Sequence, residues 1–266
     1  MQAMSENFGM KLNADYYPAQ PGATDLIIIH GLFGSAGNFR GLAKSYSEFF
    51  NVHCLDLRNH GASPHADEVS YALMASDIIE FLDDNHIDTA HIMGHSMGGK
   101  TAMQLAFNYP ERINKLVIAD IAPVQYPHHH QNVFTGLNSV DFSQAKTRGD
   151  VELDLKKHID DAGVRSFLLT NLVRQDGGLF KWRINVPALI ANYNEISAAP
   201  KGTGYQGDTL FIRGANSNYV DDLYVAKILE LFPKAHIETM DDCGHWLHAE
   251  KPADFSRILL DFTRQE

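Results

Sequence analysis

The chain of 266 residues is poor in cysteine and in positive charge, and it has no long apolar run. Its two cysteines, Cys54 and Cys243, are too few for the disulfide scaffold of small secreted domains. Lys and Arg number 22 against 33 Asp and Glu, and they form no basic run. The formal charge of −11 therefore argues against a nucleic-acid partner. No apolar stretch approaches the ~20 residues that cross a bilayer, so no membrane span is expected.

The N-terminal segment Met1–Asn7 is polar and lacks the basic and then apolar regions of a secretory signal. We therefore expect a cytoplasmic protein. The length suits one α/β domain with an inserted subdomain. A monomer and a small homo-oligomer are both compatible with the sequence.

Short apolar runs alternate with segments of helical periodicity along most of the chain. Near-continuous apolar runs are typical of strands covered on both faces of a parallel sheet. Strand–helix alternation of this kind predicts an α/β protein with a mostly parallel, doubly wound sheet. The predicted strands are Asp25–His30, Val52–Asp56, Ala90–Gly94, Leu116–Asp120, Thr209–Arg213 and His236–Met240, and the predicted helices are Tyr71–Asn85, Met97–Tyr109, Tyr219–Leu231 and Pro252–Arg264.

One stretch interrupts the alternation. Between Pro123 and Tyr205 there is no clear buried strand, and the patterns over Val151–Ala162, Val164–Val173 and Pro187–Ile196 are helical. We predict a core of residues 1–122 and 206–266 and a helical cap of residues 123–205, here named the cap segment. Such a cap would cover the carboxyl edge of the sheet, where open α/β sheets bind ligands. An insertion away from the ligand site is the alternative.

The segment Ala90–Gly99 runs from an apolar strand through Gly94-His95-Ser96-Met97-Gly98 into a helix. A serine at such a tight strand-to-helix turn is exposed as a nucleophile, and the helix N-terminus favours negative charge beside it. The pattern therefore predicts that Ser96 is a catalytic nucleophile. A glycine-rich turn with an inert serine is the alternative.

Acyl transfer also needs backbone N–H groups that point at the developing oxyanion. One should come from Met97, directly after the nucleophile. The second should come from the loop His30–Ser35 after the first apolar strand, and Leu32 is the predicted donor. An ordinary turn is the alternative for this loop, and His30 is interpreted as structural.

The predicted general base is His245, in the loop between the last strand and the last helix. Serine hydrolases on such sheets carry their triad in the chain order Ser, Asp, His, which this position satisfies. His248 is a rival base, although a histidine at a helix entrance more often packs or caps. Cys243, two residues before His245, raises a Cys–His nucleophile as an alternative to Ser96.

The acid of the triad most often follows the seventh strand of such folds, but here that position is Ser217. Asp120 lies one strand earlier, at the end of a buried apolar run. A carboxylate among apolar residues is costly unless it is paired, which makes Asp120 the predicted triad acid. Ser217 could hydrogen-bond in the same cluster. The remaining candidates are acids that look like solvated turn or cap residues: Asp221, Asp222, Asp241 and Asp242.

Two further segments are interpreted without a chemical role. Asp56–Ser63 is expected to brace the loops around the site, and His128–His130 is expected to be an exposed loop. Three adjacent histidines cannot all face one metal ion, and no Cys or carboxylate follows at ligand spacing. No glycine-rich dinucleotide or phosphate loop is present. We therefore expect no cofactor and no metal.

Taken together, these motifs resemble those of the YbfF-type bacterial esterases across almost the whole chain. The matching segments are H-G-L-F-G-S, D-L-R-N-H-G-A-S-P, G-H-S-M-G-G-K, D-I-A-P-V and G-H-W-x-H-A-E-K-P. The resemblance implies an α/β-hydrolase fold with a helical cap inserted after the sixth strand, and activity on short acyl esters with a link to acyl-CoA thioesters. It also implies that Asp120 is the acid and that Ser217 joins the site.

The expected function is hydrolysis of carboxylic esters or acyl thioesters through an acyl-enzyme on Ser96. The expected partner is a small acyl ester or acyl-CoA, and nine Lys/Arg against seven Asp/Glu over residues 146–201 would tolerate a phosphate-bearing carrier. A perhydrolase, a carbon–carbon hydrolase and a ligand receptor with the same triad are the alternatives. The predicted pocket wall includes Phe33, Trp182 and Tyr193, with further candidates Phe134, Phe167, Leu168 and Leu172.

Overall fold

The computed structural model describes residues 10–265 of the chain. The segment Met1–Asn7, on which the expected cytoplasmic location depends, lies outside the described residues. The strands in chain order are β1 (Ala14–Tyr17), β2 (Asp25–Ile29), β3 (Asn51–Leu55), β4 (Ala90–His95), β5 (Ile113–Ala119), β6 (Leu172–Arg174), β7 (Phe180–Trp182), β8 (Thr209–Gly214) and β9 (Ala235–Met240).

Seven of these strands form one sheet in the order β1-β3-β2-β4-β5-β8-β9. β1 pairs antiparallel with β3, and every other pairing in this sheet is parallel. The six predicted strands are all present, with bounds within three residues of the prediction. The edge strand β1 was missed because its short, partly exposed sequence Ala-Asp-Tyr-Tyr has no buried apolar run.

Helices cover both faces of the sheet. Alternate residues of β2 belong to different apolar cores: Ile27 and Ile29 pack with α2 and α3, whereas Leu26 and Ile28 pack with α1 and α11. The doubly wound arrangement is therefore confirmed. The helices are α1 (Arg40–Tyr46), α2 (Tyr71–Asp84), α3 (Met97–Asn108), α4 (Gln131–Ser139), α5 (Arg148–Lys156), α6 (Ala162–Leu168), α7 (Val186–Ala191), α8 (Tyr193–Ser197), α9 (Val225–Leu231), α10 (Leu247–Glu250) and α11 (Pro252–Thr263).

The cap segment carries α4 to α8 and also the antiparallel pair β6–β7. The prediction of helices alone was incomplete, because two strands of three residues each are too short to show alternation. Helix bounds in this segment also differ: one helix predicted over Val164–Val173 is Ala162–Leu168. The segment follows β5, the fifth strand among the described residues, whereas the resemblance implied a position after the sixth.

Hydrogen bonds tie the cap segment to the loops at the carboxyl edge of the sheet. The Asn171 side chain donates to the carbonyl of Phe33 at 2.8 Å, and the Tyr71 hydroxyl donates to the carbonyl of Ile196 at 2.5 Å. Because these contacts meet the loop after β2 and the start of α2, the cap segment lies beside the sheet edge where the candidate residues gather. Over residues 10–265 no helix has the length and apolarity that a bilayer crossing requires.

Candidate active site

Ser96 occupies a strained turn between β4 and α3. Its backbone has φ 54° and ψ −119°, a conformation that costs energy for a residue with a Cβ. The turn closes because its neighbours are glycines: a Cβ on Gly94 would overlap the backbone of Gly98, and one on Gly98 would overlap the carbonyl of Ile29. The Ser96 N–H donates to the carbonyl of Ala119 at 3.0 Å, which fixes the turn against β5.

His245 joins Ser96 to Asp120 by two hydrogen bonds. Its Nδ1 lies 2.7 Å from Asp120 Oδ2, and its Nε2 lies 3.1 Å from Ser96 Oγ. Because a carboxylate oxygen can only accept, Nδ1 carries the proton, and Nε2 is free to take the proton of the Ser96 hydroxyl. The structure thus brings together the three residues that the sequence proposed as nucleophile, base and acid.

Asp120 is completely buried at the end of β5, with φ 51°. Its Oδ1 accepts the N–H of Gly214 at 3.0 Å, and its Oδ2 accepts both from His245 and from the hydroxyl of Ser217. Hydrogen bonds therefore compensate the burial of this carboxylate. Ser217 lies in the same cluster, as predicted.

The other candidate acids have partners away from the imidazole. Asp221 accepts the N–H of Leu223 at the start of a 3₁₀ turn, and Asp222 pairs with Arg213 at 2.6 Å. Asp242 is 3.8 Å from Lys251, and its side chain is 91% exposed. The backbone carbonyl of Asp241 accepts from the same lysine at 2.8 Å. None of these contacts is with His245, so the interpretation of these acids as turn and cap residues agrees with the structure.

Two residues that the sequence analysis did not select hold His245. The Nε2 of His95 donates to the backbone carbonyl of His245 at 2.9 Å, and burial holds the pKa of His95 well below its usual range. The ring of Tyr219 stacks on the imidazole, with centroids 4.1 Å apart and planes at 27°. His95 could have been found from its place inside the nucleophile turn, whereas no sequence signal marks Tyr219.

The loop after β2 is braced by two neutral histidines. His60 accepts the N–H of Phe33 at 3.2 Å, and His30 accepts the N–H of Leu57 at 3.0 Å. Burial lowers the pKa of His60 to about 3 and lowers that of His30, so both remain acceptors near neutral pH. These contacts confirm the structural role of His30.

Asp56 supports the same loop by accepting the N–H of Ala36 at 2.7 Å. With His60, it confirms the bracing role predicted for Asp56–Ser63. Among the described residues, the N–H groups of Leu32 and Met97 have no hydrogen-bond acceptor, and Met97 is the first residue of α3. These two amides are therefore available to a ligand beside Ser96.

The rival nucleophile and the rival base are both packed into the apolar core. Cys243 is completely buried, and burial raises the pKa of its thiol. His248 stacks on Phe39, with ring centroids 4.6 Å apart, and it has no hydrogen bond to Ser96. Within residues 10–265, no group of three or more His, Cys, Asp or Glu side chains is arranged to hold a metal ion.

Two cavities meet at Ser96. The larger, of about 550 Å³, is lined by Phe33 and His245 and by apolar side chains of α6. The smaller, of about 40 Å³, is lined by Met97, Lys100 and Tyr193 on the other side of the serine. Their shared walls include Leu32, Ser96, His130 and Tyr219.

The predicted pocket residues separate into two groups. Phe33, Phe167 and Leu168 line the larger cavity, and Tyr193 lines the smaller one. Trp182 lines neither: its indole N–H donates to the carbonyl of Leu137 at 2.9 Å, so it packs inside the cap segment. Phe134 and Leu172 also lie outside both linings.

The histidine run at the start of the cap segment is not simply an exposed loop. His128 and His129 are exposed, but His130 is partly buried, and its Nδ1 lies 2.6 Å from the hydroxyl of Tyr193. His129 reaches across to the hydroxyl of Tyr219 at 2.5 Å. Sequence reasoning missed these contacts because they join residues that are 63 and 90 positions apart.

Comparison with known proteins agrees with this architecture. A family model described as alpha/beta hydrolase fold matches residues 25–252. Esterase YbfF of Escherichia coli is 40% identical over 94% of this chain and 98% of its own length. A mouse sn-1-specific diacylglycerol lipase is 40% identical over 89% of this chain and 80% of its own length.

Among solved structures, one described as a marine microorganism esterase superposes with a TM-score of 0.92 at 37% identity. The match covers 96% of this chain and 100% of that one. The resemblance predicted from the sequence motifs is therefore confirmed. By its sequence and its fold, the chain belongs to the α/β-hydrolase fold family.

Proposed function

We propose that this protein hydrolyses carboxylic esters or acyl thioesters through an acyl-enzyme on Ser96. The observation that carries the proposal is the unbroken line of hydrogen bonds from Asp120 through His245 to the Ser96 hydroxyl. The names of the relatives, esterase and lipase, point to the same bond type.

In the first half-reaction, Ser96 Oγ attacks the carbonyl carbon of the substrate while its proton moves to Nε2 of His245. Asp120 holds the Nδ1 proton and stabilises the imidazolium that forms. The carbonyl oxygen becomes an oxyanion, which the free N–H groups of Leu32 and Met97 would bind. Each such donor lowers the barrier by about 3 kcal/mol.

The tetrahedral intermediate then collapses, the carbon–oxygen or carbon–sulfur bond to the leaving group breaks, and Nε2 of His245 returns its proton to that group. A water molecule deacylates the enzyme by the same route: His245 takes a proton from the water, and Ser96 recovers it when the acid is released. The products are one carboxylic acid and one alcohol or thiol.

The two cavities suggest how a substrate lies. Because His245 must protonate the leaving group, that group belongs in the larger cavity, which His245 lines. The acyl group then points into the smaller cavity, which His245 does not line. A cavity of about 40 Å³ holds only a few non-hydrogen atoms, which favours short acyl groups.

Lys100 closes the smaller cavity. Its ammonium donates to the carbonyls of Ser197 and Ala198 at 3.1 and 2.7 Å and lies 4.7 Å from the ring centre of Tyr126. Burial lowers the pKa of Lys100 to about 7. These contacts hold the end of α8 against α3 and thereby limit the space beside Met97.

The proposal is tested with a fluorophosphonate serine probe and a panel of nitrophenyl esters of increasing acyl length. We expect labelling that is lost in Ser96→Ala, and turnover that falls steeply beyond short acyl groups. Retained ester turnover in Ser96→Ala would refute the nucleophile. Labelling without turnover of any ester would favour a perhydrolase, a carbon–carbon hydrolase or a receptor instead.

Thioester hydrolysis is the finer part of the proposal. The slight positive balance of residues 146–201 supports a phosphate-bearing leaving group such as the coenzyme A portion of an acyl-CoA. Turnover of acetyl-CoA should weaken with added salt more than turnover of nitrophenyl acetate. The absence of thioester turnover, or of a salt effect on it, would remove this part and leave ester hydrolysis standing.

A further inference from the structure

We propose that Tyr219 is a positioning residue for His245, and that His129 of the cap segment holds Tyr219 in place. The imidazole would then be coupled to the position of the cap segment. This inference rests on the proposed function, since it assigns a role to a partner of the proposed base.

The contact between Tyr219 and His245 is a face-to-face stack. The ring centroids are 4.1 Å apart and the planes make an angle of 27°, so the phenol covers one face of the imidazole. An imidazole bound only at Nδ1 can still rock about that hydrogen bond, which would move Nε2 away from Ser96. A ring against its face opposes this motion, and small displacements at a reacting centre are costly.

The backbone of Tyr219 is anchored on both sides. Its N–H donates to Oγ of Ser217 at 3.3 Å, and its carbonyl accepts from the hydroxyl of Tyr126. That same hydroxyl accepts the N–H of Ala122 at 2.9 Å, three residues beyond the end of β5. Hydrogen bonds therefore fix the backbone of Tyr219 to the residues that surround Asp120.

The far end of the Tyr219 side chain is held by the cap segment. The Nδ1 of His129 donates to the carbonyl of Pro127 at 2.8 Å, so in the neutral imidazole Nε2 accepts the Tyr219 hydroxyl proton. Burial raises the pKa of Tyr219 to about 12, which keeps the phenol a donor. A displacement of His129 with the cap segment would break this bond and free the ring.

The stack is tested with Tyr219→Leu, which removes the ring, and Tyr219→Phe, which keeps it. We expect Tyr219→Leu to lower kcat for nitrophenyl acetate by about tenfold with KM changed less than about twofold. Fluorophosphonate labelling of Ser96 should slow in parallel. Tyr219→Phe, which keeps the stack and loses only the hydroxyl, should be about threefold faster than Tyr219→Leu in both measurements. Tyr109→Leu removes a partly buried ring that follows α3 and lines neither cavity, and it should leave both rates unchanged.

The link to the cap segment is tested by a double-mutant cycle. His129→Leu and Tyr219→Phe should each lower kcat by about threefold, and the double variant should also lose only about threefold, because both substitutions remove the same hydrogen bond. His128→Leu, in the neighbouring exposed position, is the matched control. Additive losses in the double variant would overturn the link.

Two outcomes separate this inference from the proposed function. Wild-type protein that neither labels nor turns over esters would overturn both. Wild-type protein that does both, with Tyr219→Leu labelling at the same rate, would overturn the positioning role alone. Should Tyr219→Leu not fold by circular dichroism, the cycle of His129→Leu and Tyr219→Phe decides the question by itself.

Discussion

The ends of β5 and β8 border the same imidazole but contribute differently to it. β5 ends at Ala119 and is followed at once by the buried Asp120, whereas β8 ends at Gly214 and leads into a more exposed loop with Ser217. The acid of the triad usually follows the strand in the place of β8. Here the last residue of β8 supplies a peptide N–H, and the loop after it supplies a hydroxyl and an aromatic ring instead.

The two strand ends can exchange this role because they are neighbours. β5 and β8 are parallel and in register, with Ala119 opposite Ile212, and the Asp120 N–H donates to the Ile212 carbonyl at 2.8 Å. We therefore expect that a carboxylate placed at either end would reach Nδ1 of His245. The acid must lie close to Nδ1 of the imidazole, which constrains its position in space. Its position in the chain is constrained less, because two neighbouring strands end at this place.

The largest loss of activity is expected for Ser96→Ala. This substitution removes the nucleophilic hydroxyl, which is needed whether the acid follows β5 or β8. Ester turnover should fall by a factor on the order of 10⁶, as for other serine hydrolases without their nucleophile. Initial rates with nitrophenyl acetate measure this loss. Turnover near the wild-type level would mean that Ser96 is not the nucleophile, whichever strand end carries the acid.

The next largest loss is expected for Asp120→Asn. Asparagine tolerates the positive φ of this position, so the fold should survive. The neutral amide carries no negative charge, so it cannot stabilise the imidazolium that forms on His245. We expect kcat to fall by up to about 10⁴-fold. A loss below about tenfold would contradict the assignment of the acid to the end of β5.

A carboxylate returned to the loop after β8 tests the exchange directly. Ser217→Asp added to Asp120→Asn should recover about tenfold or more of the lost kcat, since the Ser217 hydroxyl already contacts the oxygen that binds His245. Ser217→Asn in the same background is the control and should recover nothing. Equal behaviour of the two double variants would show that the ends are not interchangeable.

Ser217→Ala alone should have a moderate effect. It removes one hydrogen bond to a buried carboxylate, and bonds to charged groups typically contribute about 1.5–3 kcal/mol, so kcat should fall by about ten- to a hundredfold. Ser217→Thr keeps the hydroxyl and serves as the control. An unchanged rate in the alanine variant would mean that Asp120 does not need the hydrogen bond from Ser217 for catalysis.

The smallest effect is expected for Cys243→Ala. Cys243 is completely buried and has no place in the line from Asp120 to Ser96, so kcat should change by less than about twofold. Thermal unfolding should show a small loss of stability from the lost side-chain volume. Loss of ester turnover in a folded variant would instead favour Cys243 as the nucleophile, paired with His245.

Local signals made the nucleophile turn predictable. Gly94, Ser96 and Gly98 follow an apolar strand and precede a helix, and the close backbone contacts of the two glycines explain why this spacing is required. The end of β5 was also predictable, because Asp120 interrupts a buried apolar run and so needs a partner. Both inferences use neighbours within a few residues.

Contacts between distant segments were not predictable in the same way. Trp182 and Tyr193 are both large aromatic residues of the cap segment, yet only Tyr193 lines a cavity at Ser96. The difference depends on how short helices and the β6–β7 pair pack, and composition does not encode that packing. Tyr219 and His129 likewise meet across 90 positions.

The sequence by itself determined the six parallel strands of the sheet, the turn at Ser96 and a short set of partners, because periodicity, glycine spacing and a buried charge act over short distances. Only the tertiary structure decided which residues surround the imidazole of His245. Parallel strands brought the ends of β5 and β8 side by side, and the cap segment placed His129 against Tyr219. Those arrangements follow from packing over the whole molecule, where each side chain must satisfy several neighbours at once.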